Sequence, residues 1–121
     1  MFASAFGLFG VILGAMGSHY IPSVLDAEKI DSWATAVDYQ LIHALVLYVI
    51  SFQMDRTAIS WVLLSSGWLM VVGVILFSGS IYLLVLDVSP WVWPATPVGG
   101  GLLIIGWFLM LFYWISFARE E

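Results

Sequence analysis

Four apolar stretches run along the chain, separated by short polar ones. The first covers about residues 2–19. Within it Ala3, Gly7, Gly10, Gly14 and Gly17 recur at spacings of four, three, four and three, which puts these five small residues on one helical face. Such a seam lets another helix backbone approach closely. Gly7, Gly10, Gly14 and Gly17 are therefore expected to pack on a neighbour, the second or third helix. His19 and Tyr20 follow, and Pro22 ends the helix.

Residues 22–32 form a polar connector with Asp26, Glu28, Lys29 and Asp31. Asp31 or Ser32 is placed to N-cap the second helix, expected over residues 33–54. That helix opens with WATAVDYQLIHAL, so Thr35, Asp38, Tyr39, Gln40 and His43 precede the fully apolar run that begins at Ala44. The apolar part is too short to cross a bilayer alone, so the polar mouth must lie partly inside it. Asp55, Arg56 and Thr57 make a tight turn. A third helix is expected over residues 58–86, longer than a ~30 Å hydrocarbon layer needs. Its second half reads FSGSIY, from Phe77 to Tyr82. A loop with three prolines follows over residues 87–97, and then a fourth helix over residues 97–118. Pro97 suits a first turn, where no N–H partner is lost. Gly99, Gly100 and Gly101 come next, then Gly106 and Trp107, and Arg119, Glu120 and Glu121 form a polar tail.

Composition turns this pattern into a class. Of the 121 residues 63% are hydrophobic and 9% charged, against about 25% charged in soluble domains. A soluble core of this length could not hide so much apolar surface. The expected fold is all-α, a polytopic membrane protein whose single domain is a four-transmembrane-helix bundle. The absence of cysteine removes disulfides, thiolate metal sites and cysteine nucleophiles. A net charge of −5 without a Lys/Arg cluster argues against nucleic acid and against a grip on anionic lipid headgroups. The first helix lacks a basic leader and runs for about a full span, so it is expected to be retained rather than cleaved as a signal peptide.

Four spans put both termini on one side, with Arg56 and Arg119; only Lys29 lies opposite. The positive-inside rule then places both termini in the cytoplasm. Trp61 and Trp114 mark the inner interface, and Trp33, Trp91 and Trp93 the outer. The outer half collects residues 14–19, the Tyr39–Gln40–His43 group, Ser78, Ser80 and Tyr82, and Thr96 with Gly99 and Gly100. The candidate polar cluster is thus His19, Tyr39, Gln40, His43, Ser78, Ser80, Tyr82 and Thr96. The helix-packing candidates are Gly7, Gly10, Gly14, Gly17, Gly99 and Gly100.

On the second helix, Tyr39, Gln40 and His43 share a face, while Asp38 is turned about 140° away from His43. His43 should lie roughly 8 to 15 Å below the outer surface. An ionisable group at that depth suggests a functional site. The favoured reading is structural, a hydrogen bond inside the bundle with Gln40, Ser78, Ser80 or Tyr82. Two histidines and a carboxylate can hold iron, but Asp38 faces away and His19 lies shallower, so no metal or cofactor is expected. Ser78 and Ser80 sit at helical depth without a strained turn or oxyanion hole, which argues against a serine hydrolase.

Taken together, GAMGSH (Gly14 to His19), TAVDYQLIHAL (Thr35 to Leu45), GVILFSGSIYLL (Gly73 to Leu84) and TPVGG followed by Gly106 and Trp107 resemble the YgdD/YwdK-like family of small bacterial membrane proteins, catalogued as a domain of unknown function. The resemblance covers nearly the whole chain. Met16 and Ser18 stand where the family's first motif has an aromatic residue and an alanine, a mild departure. The resemblance implies a four-helix inner-membrane protein and brings no activity with it. The expected function is a non-enzymatic membrane module, an accessory subunit of a larger complex. The alternative is binding or transport of a small ligand, quinone headgroup, ion or proton at the outer polar cluster. Expected partners are membrane lipids and a larger membrane complex or a second copy of the chain.

Overall fold

The computed structural model describes residues 1–19, 25–56 and 60–118, with Arg56 described by its backbone. The stop at Pro22, the turn at Thr57, the helix start at Ala58 and the tail of Arg119, Glu120 and Glu121 lie outside the described residues. Among the described residues four α-helices follow one another, α1 (Phe2–His19), α2 (Ala27–Arg56), α3 (Trp61–Val85) and α4 (Ala95–Phe117), with a 3-10 turn at Pro90–Val92 before α4. Each of the four spans is long and apolar enough to cross a membrane. The protein is an all-α, multi-spanning membrane protein.

Local chemistry sets the helix ends, and in several places it moves them: Asp55 and Arg56, expected in the turn, are the last residues of α2. Helix α2 begins at Ala27 rather than Trp33. Its cap is Asp26, not Asp31 or Ser32: the Asp26 carboxylate accepts the Lys29 backbone N–H at 2.9 Å and its carbonyl accepts from Ile30. Hydrophobic patterning could not reveal this, because the first two turns of α2 are polar and largely solvated. Helix α4 begins at Ala95, so the loop after α3 is shorter than the three prolines suggested. Proline is accommodated in the opening turn of both the 3-10 segment and α4. At the other end Ser60 caps α3, its hydroxyl accepting from Leu63 N–H at 3.4 Å. Asp87 leaves α3 in the left-handed region, φ 54°, and its carboxylate meets the Lys29 ammonium, tying the end of α3 to the start of α2.

The helices pack in chain order, α1 on α2, α2 on α3 and α3 on α4. Glycine decides how close two of these contacts become. Along α1, a Cβ added at Gly10 would meet Leu41 at 2.6 Å, at Gly14 Val37 at 3.3 Å and at Gly17 Trp33 at 2.8 Å. The partner of the seam is therefore α2. Gly7 is the exception, with nothing within 4 Å; a helix crossing at an angle leaves its neighbour after a few turns. The tightest contact joins α3 and α4. A Cβ at Gly99 would enter the α3 backbone at Phe77 N and stand 2.8 Å from the Gly73 carbonyl, while one at Gly73 would meet Leu103 at 2.7 Å. Gly100 meets the Phe77 ring only at an ordinary 3.7 Å. Further along, Gly106 faces Met70 and the Ser66 carbonyl at 3.0 and 3.3 Å.

One tryptophan departs from the expected interfacial belt. Trp61, Trp91 and Trp93 are well exposed, but Trp33 is 2% exposed. Its indole lies on Gly17, donates to the Leu13 carbonyl at 2.9 Å and packs on the Tyr82 ring. The N–H that would have sought water finds the α1 backbone instead, so Trp33 joins the core with Val37 and Val85.

Candidate functional site

The end of the bundle where α1 finishes and α2 begins carries most of the polar side chains, and the structure pairs them across helices. Gln40 is the junction of three. Its amide Nε2 donates to the Phe6 carbonyl of α1 at 2.9 Å, and its Oε1 accepts the Tyr82 hydroxyl of α3 at 3.0 Å. Ser78 donates to the Ala36 carbonyl of α2 at 2.8 Å, joining α2 to α3. Ser80 donates to the Phe77 carbonyl at 3.0 Å and stands 2.6 Å from the Thr96 hydroxyl, joining α3 to α4. Each bond satisfies a group that would cost a few kcal/mol unpaired in hydrocarbon.

His43 is buried and held from both sides. Its Nδ1 lies 2.7 Å from the Tyr39 carbonyl one turn back, and its Nε2 lies 3.1 Å from the Trp107 indole nitrogen of α4. A carbonyl only accepts and an indole N–H only donates. The two contacts are both satisfied by one arrangement, a neutral imidazole protonated on Nδ1 and accepting on Nε2. The partner is Trp107, and not Gln40, Ser78, Ser80 or Tyr82, because Gln40 on the same face turns toward α1 and α3. Tyr39 remains 41% exposed, its ring flanking His43 and resting on Phe77 at a centroid distance of 4.6 Å.

The structure gathers Gln40, Ser78, Ser80, Tyr82 and Thr96 into interhelical pairs and seats Tyr39 beside His43. It leaves His19 outside. His19 is exposed at the end of α1, beyond Gly17, and among the described residues its ring has no hydrogen-bond partner. Asp38 is exposed on another side of α2. Among the described residues no group of three His, Cys, Asp or Glu side chains could hold a metal ion.

Sequence reasoning missed Trp107. A signal for it exists: Trp107 falls between the two interfacial levels, and an indole N–H at mid-span, away from water, needs an acceptor. It also missed the polar pairs toward the other end. Ser66 donates to the Gly106 carbonyl at 2.7 Å, and the Gln53 amide reaches the Tyr113 hydroxyl at 3.4 Å. That half is therefore not purely aliphatic and aromatic. Among the described residues every buried side-chain nitrogen and oxygen has a partner.

Four spanning helices laced by hydrogen bonds from side chain to backbone and side chain to side chain define a polytopic integral membrane protein. The chain belongs to the family described as "Protein of unknown function (DUF423)", whose model matches residues 13–100. It is similar to the UPF0382 membrane protein YwdK of Bacillus subtilis (strain 168), 36% identical over 104 residues that cover 86% of this chain and 85% of the relative. It is similar to the UPF0382 inner membrane protein YgdD of Escherichia coli (strain K12), 36% identical over 121 residues, 99% of this chain and 91% of the relative. A UPF0382 membrane protein of Haemophilus influenzae is 35% identical over 101 residues, 84% of this chain and 80% of that protein. No solved structure matches the chain significantly.

Proposed function

We propose that the protein is a non-catalytic structural module of the bacterial cytoplasmic membrane, acting as an accessory subunit of a larger membrane assembly, with both termini in the cytoplasm. The observation that carries this is the saturation of the polar layer. His43, Gln40, Ser78 and Ser80 each spend their donors on another helix or on a backbone carbonyl. Catalysis or ion transfer would want a free nucleophile or an open acceptor, whereas these groups act as clasps. The lipid-facing side of α4, with Ile104, Phe108 and Leu111 each more than half exposed, supports lateral association within the bilayer. The name of the E. coli relative, an inner membrane protein, supports the location.

Purification of the tagged full chain in mild detergent, followed by mass spectrometry of what accompanies it, tests the assignment. A partner protein in stoichiometric amount is the expected result. A homogeneous chain carrying one tightly held small molecule, and no partner, would replace this reading with ligand binding. For the orientation, single cysteines placed at Thr57 and Ser89 are expected to label from opposite faces of the membrane, with Thr57→Cys reached only from the cytoplasm. Labelling of Thr57→Cys from outside in intact cells would invert the topology.

A further inference from the structure

Asp38 is a carboxylate with no job in the bundle. It is 17 residues before Asp55 on α2, about 25 Å along the helix. With Asp55 at one boundary, Asp38 falls just inside the other edge of a ~30 Å hydrocarbon layer. Among the described residues its carboxylate has neither an ion pair nor a hydrogen bond; the described ion pair joins Lys29 to Asp87. An ionised group at that level is costly unless something compensates it.

Asp38 lines a crevice of about 250 Å³ between α1 and α2, whose walls include Gly14, Gly17, Ser18 and Trp33. The polar atoms there are short of protons. Ser18 spends its hydroxyl proton on the Gly14 carbonyl at 3.1 Å, and Trp33 spends its N–H on Leu13. What remains is acceptors, one of them a carboxylate, so an occupant that matches them brings positive charge and N–H donors. The crevice is smaller than the roughly 300–1,000 Å³ of sites that enclose a whole drug-sized ligand, which suits a headgroup. Side chains on a helix lean toward its N-terminus, which carries the Asp38 carboxylate toward the headgroup layer. Below it, Ile42, Leu45 and Val49 continue the same helical face and are 51%, 71% and 48% exposed, a track for an acyl chain. Asp26, Glu28 and Asp31 stand at the same end, so a purely anionic headgroup would be repelled.

We propose that the α1–α2 crevice at Asp38 is a binding site for the primary ammonium of a zwitterionic phospholipid headgroup of the phosphatidylethanolamine type. Native mass spectrometry of the purified full chain, offered equal phosphatidylethanolamine and phosphatidylcholine with matched acyl chains, tests it. Both headgroups are cationic at nitrogen, but only the first has N–H donors. The parent is expected to retain phosphatidylethanolamine in preference by on the order of tenfold, the scale of one charge-assisted hydrogen bond. Asp38→Asn should lose the preference and Asp38→Glu should keep it. Asp31→Asn, which alters a neighbouring acid outside the crevice, should keep it too. Because Asp38 is exposed, all three variants should melt like the parent. Equal retention of the two lipids by the parent, or an unchanged preference in Asp38→Asn, would overturn the proposal. Binding of free ethanolamine to the parent in phosphatidylcholine nanodiscs, lost in Asp38→Asn, would also overturn it by moving the source of the ammonium from lipid to solution.

Discussion

Gly99→Leu is expected to leave little folded protein in detergent, and Gly99→Ala alone should lower the melting temperature markedly. The added Cβ has nowhere to go, because it meets the α3 backbone at Phe77 and the Gly73 carbonyl rather than a movable side chain. Overpacking of ordinary cores costs about 1–3 kcal/mol, and contact with backbone belongs at or beyond the top of that range. The controls lie in the same protein. Gly7 and Gly101 have open space around an added Cβ, and alanine is the better helix former by roughly 0.8–1.0 kcal/mol. Gly7→Ala and Gly101→Ala should therefore melt at or slightly above the parent temperature. Thermal unfolding of the three alanine variants side by side decides the matter. If Gly99→Ala melts with the two controls, α3 and α4 do not cross at this point.

The second large effect is expected at His43. His43→Leu removes the acceptor of the Trp107 indole and leaves its N–H unpaired within the membrane span, at a cost of about 1–3 kcal/mol. Trp107→Phe removes the same bond from the other side and strands His43 Nε2. Combined, the two changes leave neither group unpaired, so the double variant should be more stable than the sum of the singles, with a coupling of about 0.5–3 kcal/mol. His43→Gln should be tolerated, because its amide oxygen can accept from Trp107. Nitrogen-15 shifts of the His43 ring provide a second check, with the proton expected on Nδ1 and none on Nε2. Strict additivity of the two substitutions would break the proposed clasp, and a proton on Nε2 would reverse the assigned tautomer.

These two sites differ in how much of them could be seen along the chain. The spacing of Gly10, Gly14 and Gly17 on α1 predicted a close helix contact, since glycine periodicity is a property of one helix and needs no partner to be read. It predicted Gly7 with equal force, yet a Cβ at Gly7 would meet nothing within 4 Å, because the length over which two helices stay together depends on their crossing angle. Gly99 was visible as part of a glycine run. That Gly99 rather than Gly100 or Gly101 meets the α3 backbone follows from the rotation of α4 about its own axis.

The number of spans, their membrane-crossing character and the gathering of polar residues at one end were determined by the sequence itself. Hydrophobic length measured against bilayer thickness is a one-dimensional quantity, and alternating helix direction then assigns every motif a depth. Tertiary structure alone decided which groups meet at that depth. Tyr39, Gln40 and His43 share one face of α2, yet Gln40 turns to Phe6 and Tyr82 while His43 turns to Trp107. A few tens of degrees around the helix axis separate those outcomes, and they are set by the neighbours' packing. Trp33 shows the same limit. Its position marked it for the interface, and the glycine notch at Gly17 made room for it in the core. Depth follows from the chain; azimuth follows from the close-packed fit of four helices, in which each side chain's direction depends on all the others.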